Sequence, residues 1–566
     1  MSEVTGDGRT ADGEKRYQGL ESVAMDETPK PQSSTGWKGL LKSQGKVLAA
    51  FLVTLGILIY EIAQDLNPRA HNHKPAYPED LLRGSLTNVT LAPPAGFHVL
   101  IPSSEPDVNL CKLLLSASIL GYPSPVVLDA TRFTDRDDHL PKAKGVFEYL
   151  HSLDTMHDGD LVLVLDGHDS WLQLRPQTLL DRYFGILRRA DKRISSELGP
   201  VAKTNGIRQD IVFGAQKACA GWGADDPPCY AVPQSTLPKD VYGSQTDVEG
   251  DEAEPSHTNI RQRYLNAGVA MGSVHSLRKL YGEALLLRRE QPKIGDEQAV
   301  LSSMFGAQEV WREVARQDSG NASRLSSWRQ KGSGSRITFD PEHLADVRAK
   351  AASREDKQLE YGIGLDYGSE IVLNTGDAEA DAAWLALGNA TQLKAAELAL
   401  QPRVSRSRLR KLATDIAGSL PPLWTFTTEA DLPRWTAWQD VALLTNVFTG
   451  TTPVAIHHDP AAPDSAPATR QQRRETWWPR LWFAPHTRVL LDAFIYAPIV
   501  PVAVGGVDAR TQREYWPHEL YKGGARNGAK KDGDGGEWVT FERMCGEDAE
   551  ELFRDGLGAW ALPDYH

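Results

Sequence analysis

The strongest candidate for chemistry in the chain is Asp166-Gly167-His168-Asp169, directly after the near-continuous apolar run Asp160 to Asp166 (DLVLVLD). Two carboxylates held close at the end of a buried strand repel each other and resist desolvation unless a cation lies between them. Hard divalent ions such as Mg²⁺ or Mn²⁺ take oxygen ligands and also bind diphosphates. An Asp pair of this kind could therefore clamp a metal–nucleotide diphosphate and neutralise charge on a departing phosphate. Read alone, the four residues also fit a turn in which Asp166 caps the following segment.

Three further segments carry polar residues in apolar settings. Tyr264 to Gly272 (YLNAGVAMG) places Asn266 beside Gly268, where a missing side chain lets the backbone approach a ligand, or simply marks a bulged strand. Gly295-Asp296-Glu297-Gln298 opens a helix running through Phe305. Asp296 and Glu297 there either favour the helix dipole or hydrogen-bond sugar hydroxyls. Pro453 to Asp459 (PVAIHHD) reads as a short strand ending in His457 and His458, and His457 is either a metal ligand or structural.

These residues need a scaffold, and the flanking pattern supplies one. Phe97–Ile101, Pro125–Asp129, Asp160–Asp166 and Ile211–Ala215 read as short buried strands. Helical patterns lie between them at Cys111–Leu120, Gly145–Leu153 and Thr178–Arg193. Strand and helix alternate as in βαβ units, which predicts an α/β fold: a Rossmann-like, mainly parallel sheet with helices on both faces. Ligands of such sheets bind beyond the C-terminal strand ends, where Asp166 and Asp169 stand.

Taken in order, VLDGHD, IVFGAQKACAGW, YLNAGVAMG, GDEQAVLSSMFG, LDYGSEIVLNTGD and PVAIHHD resemble the glycosyltransferase domain of the procollagen lysyl hydroxylase and procollagen galactosyltransferase families. The resemblance covers Gly96 to Asp459. It implies a GT-A fold that uses a UDP-sugar donor and Mn²⁺ (or Mg²⁺), with Asp166, Asp169 and His457 as metal ligands. It also implies that Asn266, Asp296 and Glu297 line the sugar and acceptor side and that Trp222 sits on a loop gating the site, while Gly268, through the close backbone approach a glycine allows, is the further candidate contact with the nucleotide sugar. The chain departs from the pattern where His457 is followed by His458, Asp459 and Pro460 instead of a Gly-Asn-Gly turn. That departure puts the diphosphate contacts of the turn in question and makes His458 an alternative to His457. Gly376 to Gly450 has no counterpart in the pattern and reads as an insertion with helix-like stretches at Ala378–Leu387, Gln392–Leu400 and Arg406–Ala417.

The remaining regions set the context. Met1 to Lys46 is polar and without apolar periodicity, as expected of a disordered cytoplasmic tail. Val47 to Ala63 is apolar, roughly 17 residues or about 26 Å of helix, and Lys38, Lys42 and Lys46 precede it. The positive-inside rule then predicts a single-pass type II signal-anchor with the remainder lumenal, in the Golgi or endoplasmic reticulum. Residues 64–95 read as a stem, and the sequons at Asn88, Asn321 and Asn389 all lie on the lumenal side. Cys219 and Cys229 bracket a loop with Trp222, Pro227 and Pro228; a disulfide and two free thiols both remain open.

Residues 460–566 form a Trp-rich extension, in which core or interface packing is favoured over sugar stacking and Lys522–Gly536 reads as a loop. The net charge of −13 excludes a nucleic-acid partner that relies on phosphate neutralisation. The expected activity is transfer of a hexose from a UDP-sugar to a hydroxyl on a protein or glycan. Competing expectations are a membrane-anchored sugar-nucleotide or glycan-binding protein without turnover, and a metal-dependent phosphohydrolase.

Overall fold

The computed structural model describes residues 91–561, apart from 104–105, 130–139, 249–256, 320–338, 356, 402, 405, 410, 427–431, 460–466 and 529–535. The tail, the expected anchor at 47–63, most of the stem and the sequons at Asn88 and Asn321 lie outside the described residues. Among the described residues no helix is long and apolar enough to cross a membrane.

The fold is built on β1 (Ala95–Ser103), β2 (Val126–Asp129) and β3 (Leu161–Leu165), joined in parallel with β1 in the middle. Alternate residues of these strands enter different cores. Phe97, Val99, Ile101, Leu161, Leu163 and Leu165 join one apolar cluster, with helices α1 (Val108–Leu120) and α3 (Pro176–Leu198). Leu100, Val162 and Val164 join the other, with α2 (Pro141–Ser152), α4 (Val274–Glu290) and α5 (Glu297–Asp318). A strand apolar on both faces must be covered on both, which is why these runs lack polar alternation.

The remaining strands follow in chain order: β4 (Ser170–Leu172), β5 (Ile211–Gln216), β6 (Tyr264–Ser273), β7 (Ile363–Asp366), β8 (Val372–Asn374), β9 (Ala382–Ala386), β10 (Ala442–Asn446), β11 (Ala455–His457), β12 (Ala503–Gly505), β13 (Arg513–Pro517), β14 (Gly524–Asn527) and β15 (Glu537–Thr540). The central sheet runs β15-β14-β2-β1-β3-β6-β5-β7, with β13 also on β1 and β12 on β13. It is largely parallel, as the sequence pattern predicts, but β6 lies antiparallel to both β3 and β5. Its register on β5 shifts at Phe213/Gly214, so the glycine-rich run is also a bulged strand.

Residues 460–566 do not stand apart from this sheet: β13 pairs with the first half of β1 and β14 with β2. Gly524–Asn527, expected as loop, is strand for that reason. A disulfide between Cys111 on α1 and Cys545 ties the two ends together, and a second joins Cys219 to Cys229. Trp478 and Trp482 are buried, whereas Trp477, Trp516 and Trp538 are half-buried.

Within the insertion, Ala390–Leu400 is helical as expected, and Asn389 caps it. Two helical expectations fail. Residues Ala382–Ala386 form β9, antiparallel to β10, because pairing with Ala442–Asn446 outweighs the helix propensity of an Ala-rich stretch. Only Thr414–Ala417 is helical in the last stretch. Its Leu409, with Val404 just before it, instead joins a small core with Tyr242, Leu385 and Phe448, and Leu412 packs against that core.

Asp366 at the end of β7 organises the link to β8. It is 1 % exposed and accepts the amides of Glu370 (2.9 Å), Ile371 (2.6 Å) and Val372 (3.0 Å). Burial, with Glu370 adding, pushes its carboxyl up to about 6 despite those donors. The folded state then holds this proton more tightly than the unfolded chain, so the associated stability is complete below about pH 4 and is lost as pH rises through about 6. The stability advantage of wild type over Asp366→Asn should shrink by on the order of 3 kcal/mol between about pH 4 and pH 7, read by denaturant unfolding. A difference that does not change with pH would contradict this.

Candidate functional site

The expected site residues come from five elements at one end of the sheet. Strand β3 ends at Leu165, and the Asp166 amide donates to the Gly268 carbonyl at 2.9 Å, which holds the turn against β6. Strand β11 lies between β4 and β8, antiparallel to one and parallel to the other, and ends at His457. That small sheet sets His457 directly over Gly268: a Cβ built on Gly268 would collide with the imidazole ring. The absence of a side chain at 268 therefore serves the close approach of a histidine.

His457 is 4 % exposed and its Nδ1 has no hydrogen-bond partner. Its neighbour His458 points to the opposite side, as strand alternation requires, and packs on Trp171 and Trp477 with ring centroids 4.2 and 5.8 Å away. Burial, with Arg473 and His457 contributing, holds His458 well below the usual histidine range. Of the two histidines the sequence leaves open, His457 is the one beside Asp166.

Both aspartates carry cationic partners. Lys142, in the first turn of α2, pairs with Asp166. Burial pushes the Asp166 carboxyl up, but Lys142 and His457 outweigh it and hold the group below the usual range. Asp166 also accepts the His168 amide at 3.1 Å, the turn-capping role the sequence allows. Asp169 pairs with Arg474 and, at 3.4 Å, with Arg470, both on helix α6 (Pro467–Trp477). The ligand atoms of Asp166, Asp169 and His457 do not converge within 4.8 Å of one another. His168 is turned away, toward Ser103 (3.0 Å) and Asp107 (3.1 Å).

Asn266 is buried and fully engaged. It donates to Gln216 Oε1 (3.0 Å) and Asp459 Oδ2 (2.7 Å) and accepts the Gly268 amide (3.0 Å). It thus bridges β5, β6 and the segment after β11. Asp296 is exposed and caps α5 by accepting the Ala299 amide at 3.0 Å. Glu297 is half-buried; burial pushes it up to about 7, Lys142 opposes, and Asp166 and Asp296 add. Of the two, only Glu297 belongs electrostatically with Asp166 and Lys142. Trp222 lies half-buried in the Cys219–Cys229 loop, with its indole nitrogen unpartnered. That loop packs on α5 through Pro227 and Pro228, which a side chain at Gly306 would strike.

Sequence reasoning missed Lys142, Arg470 and Arg474. The signal for the arginines was present: Arg470, Arg473 and Arg474 recur at i, i+3 and i+4, one face of a helix. Arg473 takes a neighbouring direction, to Thr375 and Glu379. A cavity of about 450 Å³ lies elsewhere and is lined by none of the expected site residues. No protein-family model matches the chain, and no curated protein resembles it at a significant level.

The fit of His457 over Gly268 is directly testable. Gly268→Ala should destabilise by roughly 1–3 kcal/mol through overpacking. In a His457→Ala background the same substitution should cost markedly less, so a double-mutant cycle in chemical denaturation reports a coupling energy. Equal costs in both backgrounds would show that the contact is not what excludes a side chain at 268.

Proposed function

We propose that the chain is a metal-dependent glycosyltransferase of the GT-A type, moving a hexose from a UDP-sugar to a hydroxyl on a protein or glycan. The observation that carries this reading is the meeting of Asp166 with a buried, unpartnered His457 across Gly268 at the C-terminal end of β3. A strand-end carboxylate and an imidazole nitrogen with nothing to bind form a mixed oxygen–nitrogen donor set suited to a divalent cation. Asp166 and His457, joined by Asp169 once its side chain turns from Arg474, would hold Mn²⁺ or Mg²⁺, which supplies Lewis-acid neutralisation of the leaving diphosphate.

The arginine pairs give the reading its second support. Arg474 pairs with Asp169. A guanidinium in that place can exchange a carboxylate for a phosphate at little cost, because each presents two anionic oxygens that the same fork binds bidentately. Arg474 and Arg470 would then take the diphosphate contacts that the missing Gly-Asn-Gly turn leaves open. Lys142 would offset the charge of Asp166 and Glu297. Asn266 would keep Gly268 and Asp459 in register below the sugar. Glu297 is the carboxyl nearest an acid–base role at neutral pH.

The pairing of both aspartates with Lys142 and Arg474 is the feature that favours the second reading, a sugar-nucleotide-binding protein without turnover. The two disulfides, with all four cysteines engaged, are in keeping with an oxidising compartment. A type II anchor at 47–63 and residence in the Golgi or endoplasmic reticulum belong to the same proposal.

The purified chain should release UDP from at least one UDP-sugar only when Mn²⁺ or Mg²⁺ is present. Asp166→Asn and Asp169→Asn should each lower that rate by at least about 100-fold. Arg474→Lys, which keeps the charge and loses the fork, should raise KM for the donor more than it lowers kcat. Binding of UDP-sugars without release would leave the binding reading in place of the enzyme, and orthophosphate as product would indicate a phosphohydrolase.

A further inference from the structure

At the opposite end of β3 stands a second group of chemically competent side chains. Asp160 immediately precedes the strand and is 5 % exposed. Its Oδ1 accepts the Gly96 amide at 2.7 Å. Its Oδ2 faces His98 Nε2 at 3.2 Å and His157 Nδ1 at 2.7 Å. His518, just past β13, stacks on His98 with ring centroids 4.0 Å apart and lies edge-on to His157 at 5.6 Å. Ligand atoms of His98, Asp160 and His518 all fall within 4.8 Å of one another. Among the described residues this is the one group of three or more potential metal ligands drawn so close.

We propose that His98, Asp160 and His518 form a binding site for a zinc-type transition-metal ion, with His157 beside them as a fourth ligand. The donor chemistry points to that class: imidazole nitrogens with a single carboxylate suit Zn²⁺, whereas Mg²⁺ and Mn²⁺ favour oxygen-rich sets. The surroundings are those of a ligand set held in orientation. His98 Nδ1 is engaged by the Tyr149 hydroxyl at 2.9 Å, which directs Nε2 toward Asp160, and the Gly96 amide fixes the carboxylate. Among the described residues no lysine or arginine pairs with Asp160, in contrast to Asp166 and Asp169. The four residues come from β1, the turn before β3 and the segment after β13.

A metal here would therefore fasten the C-terminal strands to the centre of the sheet, where β13 pairs with β1 through only three residue pairs. The site is independent of the proposed activity. Asp160 and Asp166 are separated by the length of β3, on the order of 20 Å.

The test uses the full chain, purified and stripped with a chelator, then titrated with Zn²⁺ and with Mn²⁺ against a competing indicator. One equivalent of Zn²⁺ should bind, in preference to Mn²⁺, and should raise the melting temperature of the stripped protein. Binding should survive in Asp166→Asn/Asp169→Asn and weaken by at least about 10-fold in His518→Ala. His518 is exposed, so its replacement leaves the core intact. Should His518→Ala nevertheless fail to fold, the wild-type chain still decides: a melting temperature unchanged by chelator or Zn²⁺, with no zinc bound, overturns the proposal. Zinc that binds equally to folded His518→Ala, or that is lost only in the Asp166/Asp169 variant, overturns it as well.

Discussion

Burial of β1 and β3 on both faces is the constraint on which the rest of the structure depends. Odd-numbered residues of these strands enter the core shared with α1 and α3, and even-numbered ones enter the core shared with α2, α4 and α5. A slip of one residue would exchange the two sets and drive His98 into the wrong core. Apolar packing on both faces therefore selects one register. The carboxylates flank β3, Asp160 at one end and Asp166 at the other, and His98 inside β1 faces the first of them. Each end then receives partners from distant sequence, His98 and His518 at the first, beside the local His157, and Lys142 and His457 at the second.

The second end shows how a charged site is assembled on such a scaffold. Two aspartates near a buried histidine would repel each other, and the fold answers with Lys142 from α2 and arginines from α6. Each helix is anchored elsewhere, α2 in the even-numbered core and α6 through Arg473 on Thr375 and Glu379. The cations are thus held near the aspartates by contacts that do not involve the aspartates, apolar packing for α2 and the Arg473 hydrogen bond and ion pair for α6. That arrangement suits a site whose charge balance changes when a ligand arrives, because only side chains need to exchange partners.

Much of the scaffold was legible because its signals are local. Continuous apolar runs such as Leu161–Leu165 mark strands covered on both faces, and the periodicity of Pro176–Leu198 marks a helix over the sheet. The capping of α5 by Asp296 is equally local. The readings that failed depend on partners far along the chain. Ala382–Ala386 is a strand only because Ala442–Asn446 lies beside it. Gly524–Asn527 is a strand only because β2 offers an edge. The Cys111–Cys545 bridge spans 434 residues, a separation across which spacing carries no information.

By itself the sequence determined which residues stand at the end of the β3 strand. An apolar run followed by Asp166-Gly167-His168-Asp169 can bury its hydrophobic part in only one way, and the carboxylates must then emerge at its C-terminal edge. It also determined the α/β class, through alternating periodicities. Only the tertiary structure decided what those carboxylates meet. His457 over Gly268, Arg474 on Asp169, and His98, Asp160 and His518 gathered at the far end are all encounters between segments tens to hundreds of residues apart. Their proximity follows from strand order and helix placement, which chain-local patterns do not encode.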